Sequence, residues 1–346
     1  MERLGSDNKM VRLLLNRAKL NPKRVVYAEA DQLDVLKAAQ IAHEEGIAVP
    51  ILLGRKETIE ALMASIDFDA DILIIDPKTE EENLRKDKYA KVYWEQRKRR
   101  GVTYYSAQRL MRERNYFAAM MVNEGDADAL ISGYSRNYPT VFKPMLELIG
   151  LMPGVSRAAT TNLMMTKRGP LFLSDTSINI NPDSKTLAKI TQMTSRVVKM
   201  FGLDPVLAMV SYSNFGSSKN DQASKVRDAV SILHRSYPDM VVDGELQTDF
   251  ALNDEMLQER FPFSKLAGKK VNALIFPNLD SANITYKLLK ELNEADSIGP
   301  IMLGMRKPVH ILQLGASVEE IVNMTAVAVI DAQNKEKWEL QNADKY

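Results

Sequence analysis

Residues 22–54 read PKRVVYAEADQLDVLKAAQIAHEEGIAVPILLG, and this stretch decides the fold. Residues 24–28 form a short β-rich run, residues 32–45 follow with a helical period that Gly46 closes, and residues 50–53 make a second apolar run ending on Gly54. Two short apolar strands separated by one helix read as a β-α-β unit on a parallel sheet. The alternation continues with a strand over residues 72–75. It resumes at Gly125-Asp126-Ala127-Asp128-Ala129-Leu130-Ile131-Ser132-Gly133, which turns into a strand and stops on a glycine, where an open parallel sheet offers its ligand crevice.

Between these strands, residues 80–100 carry Tyr89, Val92, Tyr93 and Trp94 in a charged setting and read as a long helix with one apolar stripe. Its basic end, Arg97-Lys98-Arg99-Arg100-Gly101, has two readings: cations that complement a helix C-terminus, or a phosphate-facing rim. A helix over residues 140–149 is followed by Leu151-Met152-Pro153-Gly154, which breaks the pattern and sets a lobe boundary. Beyond it, strands are expected at residues 171–173, 206–211, 241–243 and 272–276. A helix over residues 184–201, with a serine cap and a stop at Gly202, separates the first two. The last units, residues 301–303, 309–312 and a long helix from Val318, are expected to return to the first lobe.

A chain of 346 residues exceeds the size at which one hydrophobic core keeps growing, which favours two lobes. The expected division is residues 1–150 plus 300–346 for the first and 151–299 for the second. Residues 8–21 hold Met10, Leu13, Leu14 and Ala18 on an amphipathic stripe, read as a helix linking this chain to a larger one.

The 46 Lys and Arg against 45 Asp and Glu leave a net charge of +1, so no global field favours nucleic acid or an anionic membrane. The absence of cysteine removes disulfides, thiolate metal sites and thiol nucleophiles, and fits a reducing, cytoplasmic setting. No run approaches the roughly 20 apolar residues that span a bilayer, and no export signal is expected at the N-terminus. Neither G-x-G-x-x-G nor G-x-x-x-x-G-K-[ST] occurs, which argues against dinucleotide and nucleotide chemistry. His43, His234 and His310 lack metal-ligand spacing, so no metal site is expected.

The informative polar runs leave strand ends. Ser211-Tyr212-Ser213-Asn214-Phe215-Gly216-Ser217-Ser218 offers hydroxyls, an amide and a close-approach glycine to a phosphate or thioester oxygen, or else caps the next helix. Leu173-Ser174-Asp175-Thr176-Ser177 and Val242-Asp243-Gly244-Glu245-Leu246-Gln247 leave two further strands in the same way.

Taken in order with Pro50 to Gly54, Ile275-Phe276-Pro277-Asn278-Leu279, Asn283-Ile284-Thr285-Tyr286-Lys287 and Gly299-Pro300-Ile301-Met302, these runs resemble the phosphate acetyltransferase and butyryltransferase family over residues 24–333. Lys98-Arg99-Arg100-Gly101, Ser213 to Ser218 and Lys307-Pro308-Val309-His310 are similar to one branch, the C-terminal phosphotransacetylase-like domain of NADP-dependent malic enzymes. The resemblance implies two three-layer α/β/α lobes with mainly parallel sheets and a ligand cleft between them, as in isocitrate and isopropylmalate dehydrogenases. It also implies acetyl-CoA as ligand and a homodimer built on the second lobe. NADP and a divalent metal belong only to the malic-enzyme catalytic half, a partner domain not in this chain.

The family's reacting Ser-Arg pair falls on Gln313 and Leu314 here, and its proton-accepting aspartate on Glu320. Ligand contacts are implied at Arg97, Lys143, Thr176, Ser211, Ser213, Asn214, Gly216, Ser217, Asn283 and Gln313. Leucine cannot replace a guanidinium at a charged transition state. The expectation is therefore an allosteric acetyl-CoA-binding domain with acetyltransferase chemistry lost. The alternatives are an active phosphate acetyltransferase, interconverting acetyl-CoA and acetyl phosphate, or a purely structural oligomerisation module.

Overall fold

The computed structural model describes residues 9–293 and 296–342. The chain divides into two compact units, one reaching Met152 and resuming at Met305, the other Pro153–Gly304. The first unit begins with α1 (Lys9–Lys19), β1 (Lys23–Tyr27), α2 (Leu33–Glu44), β2 (Ala48–Leu53), α3 (Lys56–Ser65) and β3 (Leu73–Ile75). It continues with α4 (Asn83–Arg97), α5 (Tyr104–Leu110), α6 (Arg114–Glu124), β4 (Ala129–Ser132) and α7 (Tyr138–Leu148). The second unit holds β5 (Ala159–Thr166), β6 (Gly169–Ser174), α8 (Ser184–Met200), β7 (Leu207–Val210), α9 (Asp221–Ser236) and β8 (Val242–Leu246). It closes with α10 (Thr248–Ala251), α11 (Asp254–Arg260), β9 (Ala273–Ile275), α12 (Leu279–Asn293) and β10 (Ser297–Leu303), after which β11 (Val309–Ile311) and α13 (Val318–Asn342) rejoin the first.

The first sheet has the order β11-β4-β1-β2-β3 and is parallel throughout. Val25, Val26 and Tyr27 of its central strand are fully buried, as a strand covered on both faces requires. The phenol of Tyr27 bonds to Thr325 Oγ1 at 2.9 Å and ties α13 to the sheet. The second sheet, β10-β5-β6-β9-β7-β8, runs parallel through β6, β9, β7 and β8, while β5 is antiparallel to both its neighbours. The α/β reading with mainly parallel sheets thus holds.

Four details correct the sequence reading. Strand β10, expected in the first lobe, pairs with β5 in the second sheet, where Ile298, Ile301, Met302 and Leu303 are buried. The helix expected over residues 8–21 runs from Lys9 to Lys19, and residue 8 lies outside the described residues. It packs on α13 through Val11, Leu14, Leu15 and Ala18, a better i, i+3, i+4, i+7 stripe than the one containing Leu13, which is 53% exposed. The cap of α8 is Asp183, whose carboxylate accepts from Thr186 N at 2.7 Å, with Ser184 already the first helical residue. Finally, α4 ends at Arg97, and residues 98–100 form a separate turn stopped by Gly101 at φ 85°.

Candidate functional site

In the second unit the loops that follow β6 and β7, with Asn283 of α12, carry most of the polar candidates. After β6 the buried Asp175 organises its own turn. One carboxylate oxygen accepts from Thr160 N (2.9 Å) and Thr160 Oγ1 (2.7 Å), and the other from Asn179 N (2.9 Å) and Asn179 Nδ2 (2.6 Å). Thr176 is fully buried beside it, its hydroxyl accepting from Asn162 Nδ2. Asn283, on α12, donates to the carbonyl of Thr176 at 3.0 Å.

After β7, Ser213 is buried and donates to Glu245 Oε1 at 3.0 Å, and Gly216 N donates to the same oxygen at 2.7 Å. Ser213 and Ser217 share a hydroxyl contact of 2.9 Å, and Ser217 Oγ accepts from Asn214 N at 3.0 Å. Asn214 joins this loop to the next strand end, donating to Gln247 Oε1 (2.8 Å) and accepting from Gln247 N (2.7 Å). Ser211 is half-buried, with its hydroxyl accepting from Ser213 N at 3.4 Å. Lys225 spans two further loops by donating to Asn181 Oδ1 (2.7 Å) and the Pro277 carbonyl (2.9 Å), and burial draws its pKa below the ordinary lysine value.

In the first unit, Arg97 at the end of α4 meets Glu147 of α7 at 3.2 Å. The other oxygen of Glu147 accepts from Tyr93 (3.1 Å) and Tyr116 (2.8 Å). Burial and the Glu147 carboxylate push both phenol pKa values upward. Lys143 is exposed on α7. Gln313 opens a turn closed by Ala316 N donating to its carbonyl at 3.2 Å, and Leu314 stands at the tip, 62% exposed. Glu320 lies in the first turn of α13 and accepts from Ser317 N at 2.9 Å. Among the described residues, no group of three or more His, Asp or Glu side chains is placed to hold a metal ion.

The candidates therefore gather in sets. Thr176 meets Asn283, and Ser211, Ser213, Asn214, Gly216 and Ser217 share one network, all within the second unit. Arg97, Lys143, Gln313, Leu314 and Glu320 belong to the first unit. Sequence reasoning passed over the buried carboxylates that shape these loops: Asp175, Glu245, and Glu29, which accepts from Gly133 N (2.7 Å), Tyr134 N (2.7 Å) and Ser135 N (3.1 Å). The signal was present as an acidic residue at or just past a strand end, beside a glycine-bearing loop for Glu29 and Glu245, a position suited to fill a nest of amides.

The family profile described as phosphate acetyl/butaryl transferase matches residues 9–329. The NADP-dependent malic enzyme of Escherichia coli is 37% identical over 338 residues, covering 95% of this chain but 44% of that enzyme, so the chain spans less than half the length of such relatives. The phosphate acetyltransferase of Clostridium acetobutylicum is 35% identical over 324 residues, covering 91% of this chain and 96% of the enzyme. A phosphotransacetylase from Streptococcus pyogenes has the same fold, with a TM-score of 0.87 at 33% identity over 95% of this chain and 99% of that one. A match over almost the whole chain, with relatives of this identity and coverage, means that the chain belongs to the phosphate acetyl/butaryl transferase family.

Proposed function

We propose that this chain is a regulatory domain of an NADP-dependent malic enzyme, binding acetyl-CoA as an allosteric effector in the cytoplasm, with acetyl transfer lost. The observation that carries the reading is Leu314, an exposed apolar side chain at the tip of the turn after β11, where the family resemblance implies an arginine. Glu320 supports it, because its carboxylate is engaged in capping α13. A large CoA ligand draws affinity from groups remote from the reacting thioester, so binding outlives the loss of a transition-state cation. Calorimetry with acetyl-CoA, together with malate oxidation by the full-length enzyme carrying this domain, tests the proposal. Binding and a change in malate oxidation support it; absence of both removes it. NADP and a divalent metal are assigned to the catalytic partner domain.

A second reading, an active phosphate acetyltransferase, is favoured by the near-complete mutual coverage with the Clostridium acetobutylicum enzyme. A coupled assay of acetyl-CoA formation from acetyl phosphate decides between the two.

We also propose self-association through the second unit. Ile284 (64% exposed), Leu288 (55%) and Leu292 (72%) recur at i, i+4 and i+8 on α12 and form an apolar stripe suited to an interface. Light scattering giving a strict monomer would count against it.

A further inference from the structure

We infer that Glu245 is the positioning residue of the loop over residues 211–218, and that this loop meets neutral hydrogen-bonding groups of a ligand rather than its phosphates. The second half of this assignment rests on the acyl-CoA reading; the first does not.

The β7–β8 ladder pairs Met209 with Gly244 and Val210 with Leu246, so Glu245 is the extra residue of a bulge. Bulges re-aim a side chain beside a functional loop. Here the carboxylate, fully buried, faces the turn after β7 and takes both Ser213 O–H (3.0 Å) and Gly216 N–H (2.7 Å) on Oε1. Its charge is met by Arg227, whose Nε lies 3.2 Å from Oε2 as an ion pair without hydrogen-bond alignment. Arg227 also donates to the Ser218 carbonyl at 3.0 Å, so acid and base grip the loop from two sides.

The consequence lies in the amides. Ser213 N donates to Ser211 Oγ (3.4 Å), Asn214 N to Ser217 Oγ (3.0 Å), and Phe215 N to the Glu245 carbonyl (2.9 Å). Gly216 N donates to Glu245 Oε1 (2.7 Å), Ser217 N to the Asn214 carbonyl (3.0 Å), and Ser218 N to Ser213 Oγ (3.0 Å). A loop binds an external anion through amides left open to it. These are committed, and the internal carboxylate already occupies the anion's place. An approaching phosphate finds these amides already engaged, and the Glu245–Arg227 pair leaves no uncompensated charge to draw it. The exposed Ser217 and the 58% exposed Tyr212 instead offer hydroxyls that can accept from amide N–H groups such as those of the pantetheine arm.

The test is hydrogen exchange on the full chain, read at the amides of residues 211–218 and, as a control, at β7. In Glu245→Ala the loop amides should exchange about tenfold faster or more, since a charge-assisted bond is lost. Millimolar acetate should restore protection by refilling the vacated position, with β7 unchanged. Loop exchange as slow as in wild type overturns the positioning role. Should Glu245→Ala fail to fold, Glu245→Gln, which keeps the acceptor oxygen but loses the charge, should speed exchange at the same amides by a smaller, severalfold factor that acetate does not reverse, and wild-type exchange in it overturns the positioning role. In the wild-type chain, acetyl-CoA and pantetheine should protect residues 211–218 while inorganic phosphate at the same concentration does not. Protection by phosphate overturns the neutral-group assignment. If no ligand protects any segment but the exchange and acetate results hold, the acyl-CoA reading fails and the positioning role stands.

Discussion

Ser317 and Glu320 cap α13 reciprocally: Glu320 N donates to Ser317 Oγ at 3.2 Å, and Ser317 N donates to Glu320 Oε2 at 2.9 Å. This is a capping box of the S-x-x-E kind, and it gives a structural role to the residue that the family resemblance implies as proton acceptor. Glutamine at the same position completes the box. Glu320→Gln should therefore leave stability within about 0.5 kcal/mol of wild type, whereas Glu320→Ala should cost about 1 kcal/mol in urea unfolding. Any acetyl-CoA turnover of the wild-type chain should survive Glu320→Gln; a fall of about tenfold or more would return the residue to general-base chemistry.

Gly244 stands where no side chain fits. A Cβ built there would overlap the Met209 carbonyl oxygen, and the backbone sits at φ 146°. The close approach brings β8 onto β7 just before the bulge that aims Glu245. Gly244→Ala must move a paired strand or strain the turn, and should cost about 3 kcal/mol in chemical denaturation. A cost below about 0.5 kcal/mol would mean that the two strands are not held so closely in solution.

Asp331 of α13 lies 3.6 Å from the buried His310 of β11 and 3.2 Å from Lys335. Burial alone would raise its pKa, but Lys335 and His310 outweigh it and hold the carboxyl at about 2, below the ordinary 3.8. A carboxyl whose pKa is depressed on folding stabilises the fold fully above the unfolded value and loses that contribution as pH falls through the folded one. The gap corresponds to at most about 2.5 kcal/mol. Stability of the wild-type chain should therefore drop more steeply than that of Asp331→Asn between about pH 4 and pH 2, with a constant difference above about pH 5. Urea unfolding across this range checks it; parallel curves would remove the coupling.

Much of the first sheet was legible because its strands are short apolar runs, mostly buried, separated by helices of which several end at glycine. Strand β5 was not. Its Thr160, Thr161 and Asn162 are buried polar residues whose partners, Asp175, the Leu173 carbonyl and Thr176, lie on or just after β6, so no local run announces the strand. The glycine-bearing loops could be read locally. What escaped was the S-x-x-E cap of α13, although its spacing is local, and the filling of those loops by Glu29 and Glu245. Which carboxylate reaches which turn depends on strand order and on a bulge between β7 and β8, neither of which is written in a single segment.

Gln313 and Leu314 give the sharpest test of lost chemistry. The turn they begin is held by its own backbone: Ala316 N donates to the Gln313 carbonyl at 3.2 Å, and Gly315 N donates to the Tyr134 carbonyl at 3.0 Å. Leu314 is 62% exposed at the tip, so a longer polar side chain meets no steric barrier there. The double substitution Gln313→Ser and Leu314→Arg should therefore fold with stability within about 0.5 kcal/mol of wild type. It restores a hydroxyl and a fixed charge at the place the family resemblance assigns to them. One missing oxyanion donor costs roughly 100- to 1000-fold in rate, so acetyl-CoA formation from acetyl phosphate should rise by about that factor over the wild-type chain. Each single substitution should recover less, because charge and hydroxyl act on one transition state and do not contribute independently. Should the double variant fold and bind acetyl-CoA yet gain no turnover, the lesion lies elsewhere, with Arg97 and its Glu147 clasp next in line. Should the wild-type chain already turn over at the rate of the double variant, the domain is a working transferase and Gln313 serves where serine does in its relatives.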